Sequence, residues 1–170
     1  MVTRTNTPSP TAPRGTGGAS IVGKGRSSAD GPGPEVMDAA TLIGDSVAND
    51  NGDDLGKIEA IMLDVTSGRI AYAVLSFGGF LGMGDKLFAI PWSALTLDTD
   101  QKCFILSVDK ERLEKAPGFD KDHWPAMADA SWATELHSYY NTTPYWEDDL
   151  RSSRDPRTSA GSISRDPNAS

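Results

Sequence analysis

A chain of 170 residues, 38% hydrophobic and 24% charged, has room for one domain plus tails. Its formal net charge of −8 is uneven: residues 1–34 carry +3 (Arg4, Arg14, Lys24, Arg26 against Asp30), residues 151–170 carry +2 (Arg151, Arg154, Arg157, Arg165 against Asp155, Asp166), leaving −13 for residues 35–150. A body that acidic repels nucleic acid and anionic lipid, and the single Cys103 removes an internal disulfide and fits a reducing, cytoplasmic setting. Residues 1–34 are rich in Pro, Gly, Ser and Thr, show no apolar run of a secretory signal, and are predicted disordered, with Ile21-Val22 too little to anchor them. Order is expected from Glu35, with a lead-in and first strand around Leu42-Ile43-Gly44-Asp45-Ser46-Val47.

Ala48 to Gly56 is a polar turn whose acids, Asp50 to Asp54, invite a cation-binding reading. Counted from Asn49, the sixth position is Asp54 and the twelfth Ala60, where a calcium loop of the helix–loop–helix type wants Gly and Glu, so a solvated hairpin loop is predicted instead. From Ile58 to Val65 both strand faces carry apolar residues (Ile58, Ala60, Met62 and Ile61, Leu63, Val65), which suits a barrel or covered sheet. Thr66-Ser67-Gly68 turns the chain, and Arg69 to Phe77 returns as a second two-sided strand whose small alanines suit strong curvature. Ile70 to Gly84 is nearly continuously apolar but falls short of the roughly 20 residues that a spanning helix needs, so no transmembrane segment is predicted.

Gly78 to Gly84 has Asp85 where a phosphate-binding loop needs lysine, so the glycines are read as freeing a hairpin that carries Phe80, Leu81 and Met83 either back over the barrel end or out toward a partner. Leu87 to Trp92 is the next strand, with Pro91 at an edge or bulge; a short strand at Ser93–Leu97 and a last one at Cys103–Val108 follow. Asp109 is placed to cap a helix running to Lys115, and a second helix is predicted from about Ser131 to Tyr140, with Trp132, Leu136 and Tyr139 or Tyr140 on one face. After Asp149 the composition turns to Ser, Arg, Asp and Pro, and residues 151–170 are predicted disordered.

The catalytic inventory is thin. His123 and His137 are the only histidines, so one cysteine and two histidines build no zinc site, and no strained nucleophile turn of the G-x-S-x-G kind occurs. Both imidazoles sit beside aromatics and are read as half-buried and hydrogen-bonded, and Cys103 as a buried inert thiol. No catalytic residue, cofactor or metal ligand is predicted. The surplus aromatics Trp124, Trp132, Tyr139, Tyr140, Tyr145 and Trp146 either seal the barrel or form a protein interface.

The run L-I-G-D-S-V, then G-D-D-L-G-K-I-E-A-I-M-L-D-V-T-S-G-R-I-A-Y-A-V-L-S-F-G-G-F-L-G-M-G-D-K-L-F-A-I-P-W-S-A-L, resembles the PRC-barrel domain, the module of the cytoplasmic part of the photosynthetic reaction centre H subunit and of the ribosome-maturation factor. A-P-G-F-D-K-D-H-W-P, W-A-T-E-L-H-S-Y-Y and P-Y-W-E resemble the extension of a stand-alone bacterial subfamily. The resemblance implies a mainly β fold: a small, strongly bent, closed barrel of about six strands over residues 42–108, with one or two C-terminal helices in an extension over 109–150. It also implies a role in protein–protein assembly and supplies no catalytic residues. The expectation is therefore a non-enzymatic interaction or scaffold module, self-associating as a homodimer, whose protein partner the sequence leaves unnamed. The alternatives are a small-ligand or cation-binding regulatory domain, and a reaction-centre-H-like accessory or ribosome-associated assembly factor.

Overall fold

The computed structural model describes residues 17–23, 36–78 and 86–147. The long hairpin predicted from the two apolar runs is its spine: β3 (Asp54–Asp64) pairs antiparallel with β4 (Arg69–Phe77). The turn between them is set by Asp64, whose Oδ1 accepts the N–H groups of Thr66 and Ser67 at 3.0 and 3.2 Å. Gly68 then takes φ +74°, the left-handed backbone expected of it.

The register of this hairpin slips twice, between Ile58 and Ala60 and between Met62 and Leu63. The second slip leaves Ala71 extra on β4 and the first leaves Glu59 extra on β3, and such a bulge bends its strand and shifts which face the next residue serves. That is why both parities of β3 read as apolar. Leu55 and Ile58, three apart, are buried, whereas Leu63 and Val65 are 55% and 85% exposed. The predicted second apolar face of β3 is thus corrected at its far end. β4 does bury both faces: Ala71, Ala73, Leu75 and Phe77 on one, Tyr72 and Val74 on the other.

Around the hairpin, β2 (Ser46–Ala48) pairs antiparallel with β3, and β5 (Lys86–Pro91) with β4. A 3-10 turn at Trp92–Ala94 replaces the start of the strand expected from Ser93, and leads into β6 (Leu95–Asp98) and β7 (Cys103–Leu106). A one-turn helix, α1 (Ala39–Leu42), stands where the lead-in was expected, so the first predicted strand shortens to β2. Among the described residues the fold is mainly β, one mixed sheet that, with β1 at Ser20–Val22, runs in the order β1-β6-β7-β2-β3-β4-β5.

Two expectations are corrected by that order. Ser20–Val22 is a strand, β1, paired in parallel with β6 from Ser20↔Thr96 to Val22↔Asp98, so Ile21-Val22 does anchor to the domain. The reason is distant backbone pairing on an open sheet edge, which local composition does not reveal. The sheet also does not shut into a cylinder: β1 and β5 are its two edges. The free side of β5 instead takes Phe119, which exchanges backbone bonds of 2.8 and 3.0 Å with Leu87. Pro91 ends this edge strand, where a missing N–H costs least. The curled sheet wraps Val47, Leu55, Ile58, Leu75, Phe88, Ile90, Leu95 and Phe104 into one core.

Candidate functional site

The chain after β7 covers the outer face of β4. α2 (Lys110–Glu114) buries Leu113. Asp109 occupies the N-cap position as expected, but its side chain makes no capping bond. α3 (Ala130–Tyr139) is anchored better, because Asp129 Oδ1 accepts from the backbone of Ser131 and Trp132 at 2.9 and 3.1 Å and from the Ser131 hydroxyl. Those bonds, the Ser131 hydroxyl first, hold the Asp129 carboxyl below its usual range. Asp129→Ala is expected to fray α3 and lower the melting temperature by a few degrees, with Asp129→Asn recovering most of it; thermal unfolding of the three proteins checks this. The two helices are clasped by a reciprocal pair: the Arg112 guanidinium donates to the Tyr139 carbonyl, and the Tyr139 hydroxyl donates to the Arg112 carbonyl at 2.6 Å.

Between the far end of the hairpin and this extension lies a groove of about 580 Å³, lined by Met62 to Thr66, Ala71 and Tyr72 on one wall and by Met127, Ala128, Ala130, Ala133, Tyr145 and Trp146 on the other. Its back is aromatic. Tyr72 meets Trp132 edge-on at 5.4 Å and Tyr145 at 6.2 Å, and Tyr145 meets Trp146 at 5.1 Å. Its polar front is Asp64. Oδ2 accepts from the Tyr145 hydroxyl at 3.0 Å, and the Ser67 backbone bond, then that hydroxyl, keep the carboxyl below its ordinary range. Arg69, the register partner of Asp64, donates from Nη1 to the Tyr145 carbonyl at 2.7 Å.

Among the described residues, two buried side-chain polar atoms have no hydrogen-bond partner: the Tyr72 hydroxyl oxygen and His137 Nε2. Tyr72 is 2% exposed, and burial first, then the nearby Tyr145 hydroxyl and Asp64 carboxylate, push its ionisation upward. His137 is 1% exposed, behind the groove, with its ring against Trp146 at 5.4 Å and Tyr72 at 5.8 Å. The Thr142 hydroxyl lies 2.9 Å from Nδ1 and 3.3 Å from the His137 carbonyl, which leaves Nε2 as the ring nitrogen without a partner. Burial lowers the imidazole from 6.5 to about 4.

The structure brings together Trp132, Tyr145 and Trp146 from the predicted interaction residues and separates the rest. Tyr139 and the buried Tyr140 serve the α2–α3 clasp, and Trp124 packs on Phe119 at 5.1 Å, near the β5 edge. Phe80, Leu81 and Met83 lie outside the described residues. His123 is exposed, 3.8 Å from an equally exposed Asp120, which corrects its half-buried reading. Cys103 is buried and its thiol raised, chiefly by burial.

In the Asp50–Asp54 loop, Asn49 takes the central role. Its Oδ1 accepts from Asn51 and Asp53, and its Nδ2 donates to Asp53 Oδ2 at 2.9 Å. Among the described residues no three acids, histidines or cysteines converge as a metal would require, and no helix is long and apolar enough to cross a membrane. Sequence reasoning passed over Asp64 and Tyr72. The one local signal was a lone aromatic among the alanines of β4, and its ring contacts with Trp132 and Tyr145 come from sixty or more residues away.

The family model of the PRC-barrel domain matches residues 34–113, and no curated protein matches the chain. The chain therefore carries a PRC-barrel domain, from before α1 to Leu113 in α2. The groove lies on its border: Asp64 and Tyr72 fall inside the matched region, Met127, Tyr145 and Trp146 outside it.

Proposed function

We propose that this PRC-barrel protein is a non-enzymatic docking module and that the groove between the β3–β4 hairpin and the C-terminal extension is where a partner protein sits. The observation that carries the reading is the pairing of an aromatic-backed cavity with Leu63 and Val65, apolar side chains left 55% and 85% exposed on its rim. Large aromatics set in a desolvated pocket and ringed by apolar contacts are the usual anchors of protein interfaces. The non-enzymatic reading is supported by the burial of His137, which is 1% exposed with its ring against Trp146 and Tyr72. A reducing, cytoplasmic setting suits the buried Cys103 thiol.

A photo-activated cross-linker placed at Val65 tests the reading in native lysate, with the same group at the exposed Val36 as control. A discrete adduct specific to Val65 is expected. Equal, diffuse labelling at both positions would sink it. The paired change Leu63→Ser with Val65→Ser should leave the melting temperature close to wild type, because these side chains bury little in the free protein, while abolishing the adduct formed from a cross-linker at Thr66. Light scattering of the same pair of proteins reads whether the docked partner is a second copy of the chain.

A further inference from the structure

We propose that the groove seats a basic side chain, arginine or lysine, carried by an apolar peptide segment of the partner protein. The inference rests on the docking reading above and names what that site recognises.

The Asp64 carboxylate and the Tyr145 and Tyr72 hydroxyl oxygens place acceptor lone pairs at the groove. Asp64 Oδ1 accepts the Thr66 and Ser67 N–H groups and Oδ2 the Tyr145 hydroxyl, and this carboxylate is the charged group among the described residues that line the groove. The bond to Oδ2 uses up the Tyr145 hydrogen, so its oxygen presents lone pairs as well. Tyr72, 2% exposed and lining the groove, holds a hydroxyl oxygen with no partner. A buried polar atom left so costs free energy that a donor-bearing ligand recovers. Around these acceptors Tyr72, Tyr145 and Trp146 stand nearly at right angles, 80° and 84° between successive rings, offering more than one π face to a cation. Arg69 turns its guanidinium to the Tyr145 carbonyl and does not line the groove.

An anionic segment would meet the Asp64 carboxylate and a body carrying −13 over residues 35–150. A neutral apolar one would leave the Tyr72 hydroxyl oxygen unpaired. The volume of about 580 Å³ exceeds what one side chain fills, and Met62, Met127, Leu63 and Val65 supply apolar contact for its neighbours.

Selection of random displayed heptapeptides on the full chain tests this. Enriched peptides are expected to share one Arg or Lys between apolar residues. A synthetic peptide from that set should lose about tenfold or more in affinity when its basic residue becomes Gln, and similarly against Asp64→Asn and Tyr72→Phe proteins. Asp64→Asn keeps the Oδ1 acceptor of the turn, and circular dichroism confirms that both variants fold. Enriched peptides without a basic residue, or indifferent to both variants, overturn the inference while leaving the docking reading intact, and give the groove to an apolar occupant such as a second copy. Absence of any enrichment overturns both.

Discussion

Gly56→Ala is expected to cost more than about 4 kcal/mol and to leave little folded protein at 37 °C. Gly56 has φ +118°, and a Cβ built there would lie 2.1 Å from the Ser76 carbonyl oxygen and 3.0 Å from its carbon. Both obstacles are backbone, so no rotamer change relieves them. The contact sits where β2, β3 and β4 run side by side, with Val47 opposite Gly56 and Ser76 opposite Lys57. Separating the strands enough to admit a methyl group would break ladder bonds on both sides of β3. Gly68→Ala provides the contrast: φ is +74°, but nothing lies within 4 Å of the added carbon. It should cost only the left-handed strain, about 1–2 kcal/mol. Urea unfolding of both variants separates steric conflict from conformational preference; equal costs would refute the packing argument.

The second large effect is a loss of stability in mild acid, driven by His137. Burial lowers its folded-state pKa from 6.5 to about 4. Below pH 6.5 the unfolded chain takes up a proton that the folded chain refuses, so stability declines as pH falls toward 4 and this contribution levels off below that. The gap between 6.5 and about 4 corresponds to roughly 3 kcal/mol at about 1.4 kcal/mol per unit. Carboxylates held low in the fold, Asp64 and Asp129, add their own loss at more acid pH, through and below 3.8. Comparing denaturant unfolding of wild type and His137→Asn from pH 7 to 4 isolates the imidazole, since Asn carries both a donor and an acceptor for Thr142 but does not titrate in this range. The wild-type curve should fall more steeply. A wild-type NMR titration of the His137 ring with a midpoint near 6.5 would overturn the prediction without relying on the variant.

The mainly β character, the hairpin turn at Gly68 and the helix over Ala130–Tyr139 were legible because each rests on local signals: alternation, a turn residue, a helical face. What escaped was set by distant contacts. Ile21-Val22 looks featureless until β6 stands beside it. The bulges at Glu59 on β3 and at Ala71 on β4 lie between the buried near end of β3 and its exposed far end, and alternation by itself does not locate a bulge. The aromatic extension was legible as a cover or an interface, and Trp132, Tyr145 and Trp146 do pack on the sheet. Asp64 and Tyr72 were not, because their partners, Tyr145 above all, lie 81 residues on from Asp64.

The groove has one wall in the PRC-barrel domain and the other in the chain that follows it, so filling the space and seating the extension are parts of a single equilibrium. On the docking proposal, a partner seated between Tyr72 and Trp146 that holds α3 more firmly on the sheet would be released by the same factor when α3 is loosened. Residues far from the rim, such as the Arg112–Tyr139 clasp, would then gain leverage over the proposed docking without touching the partner.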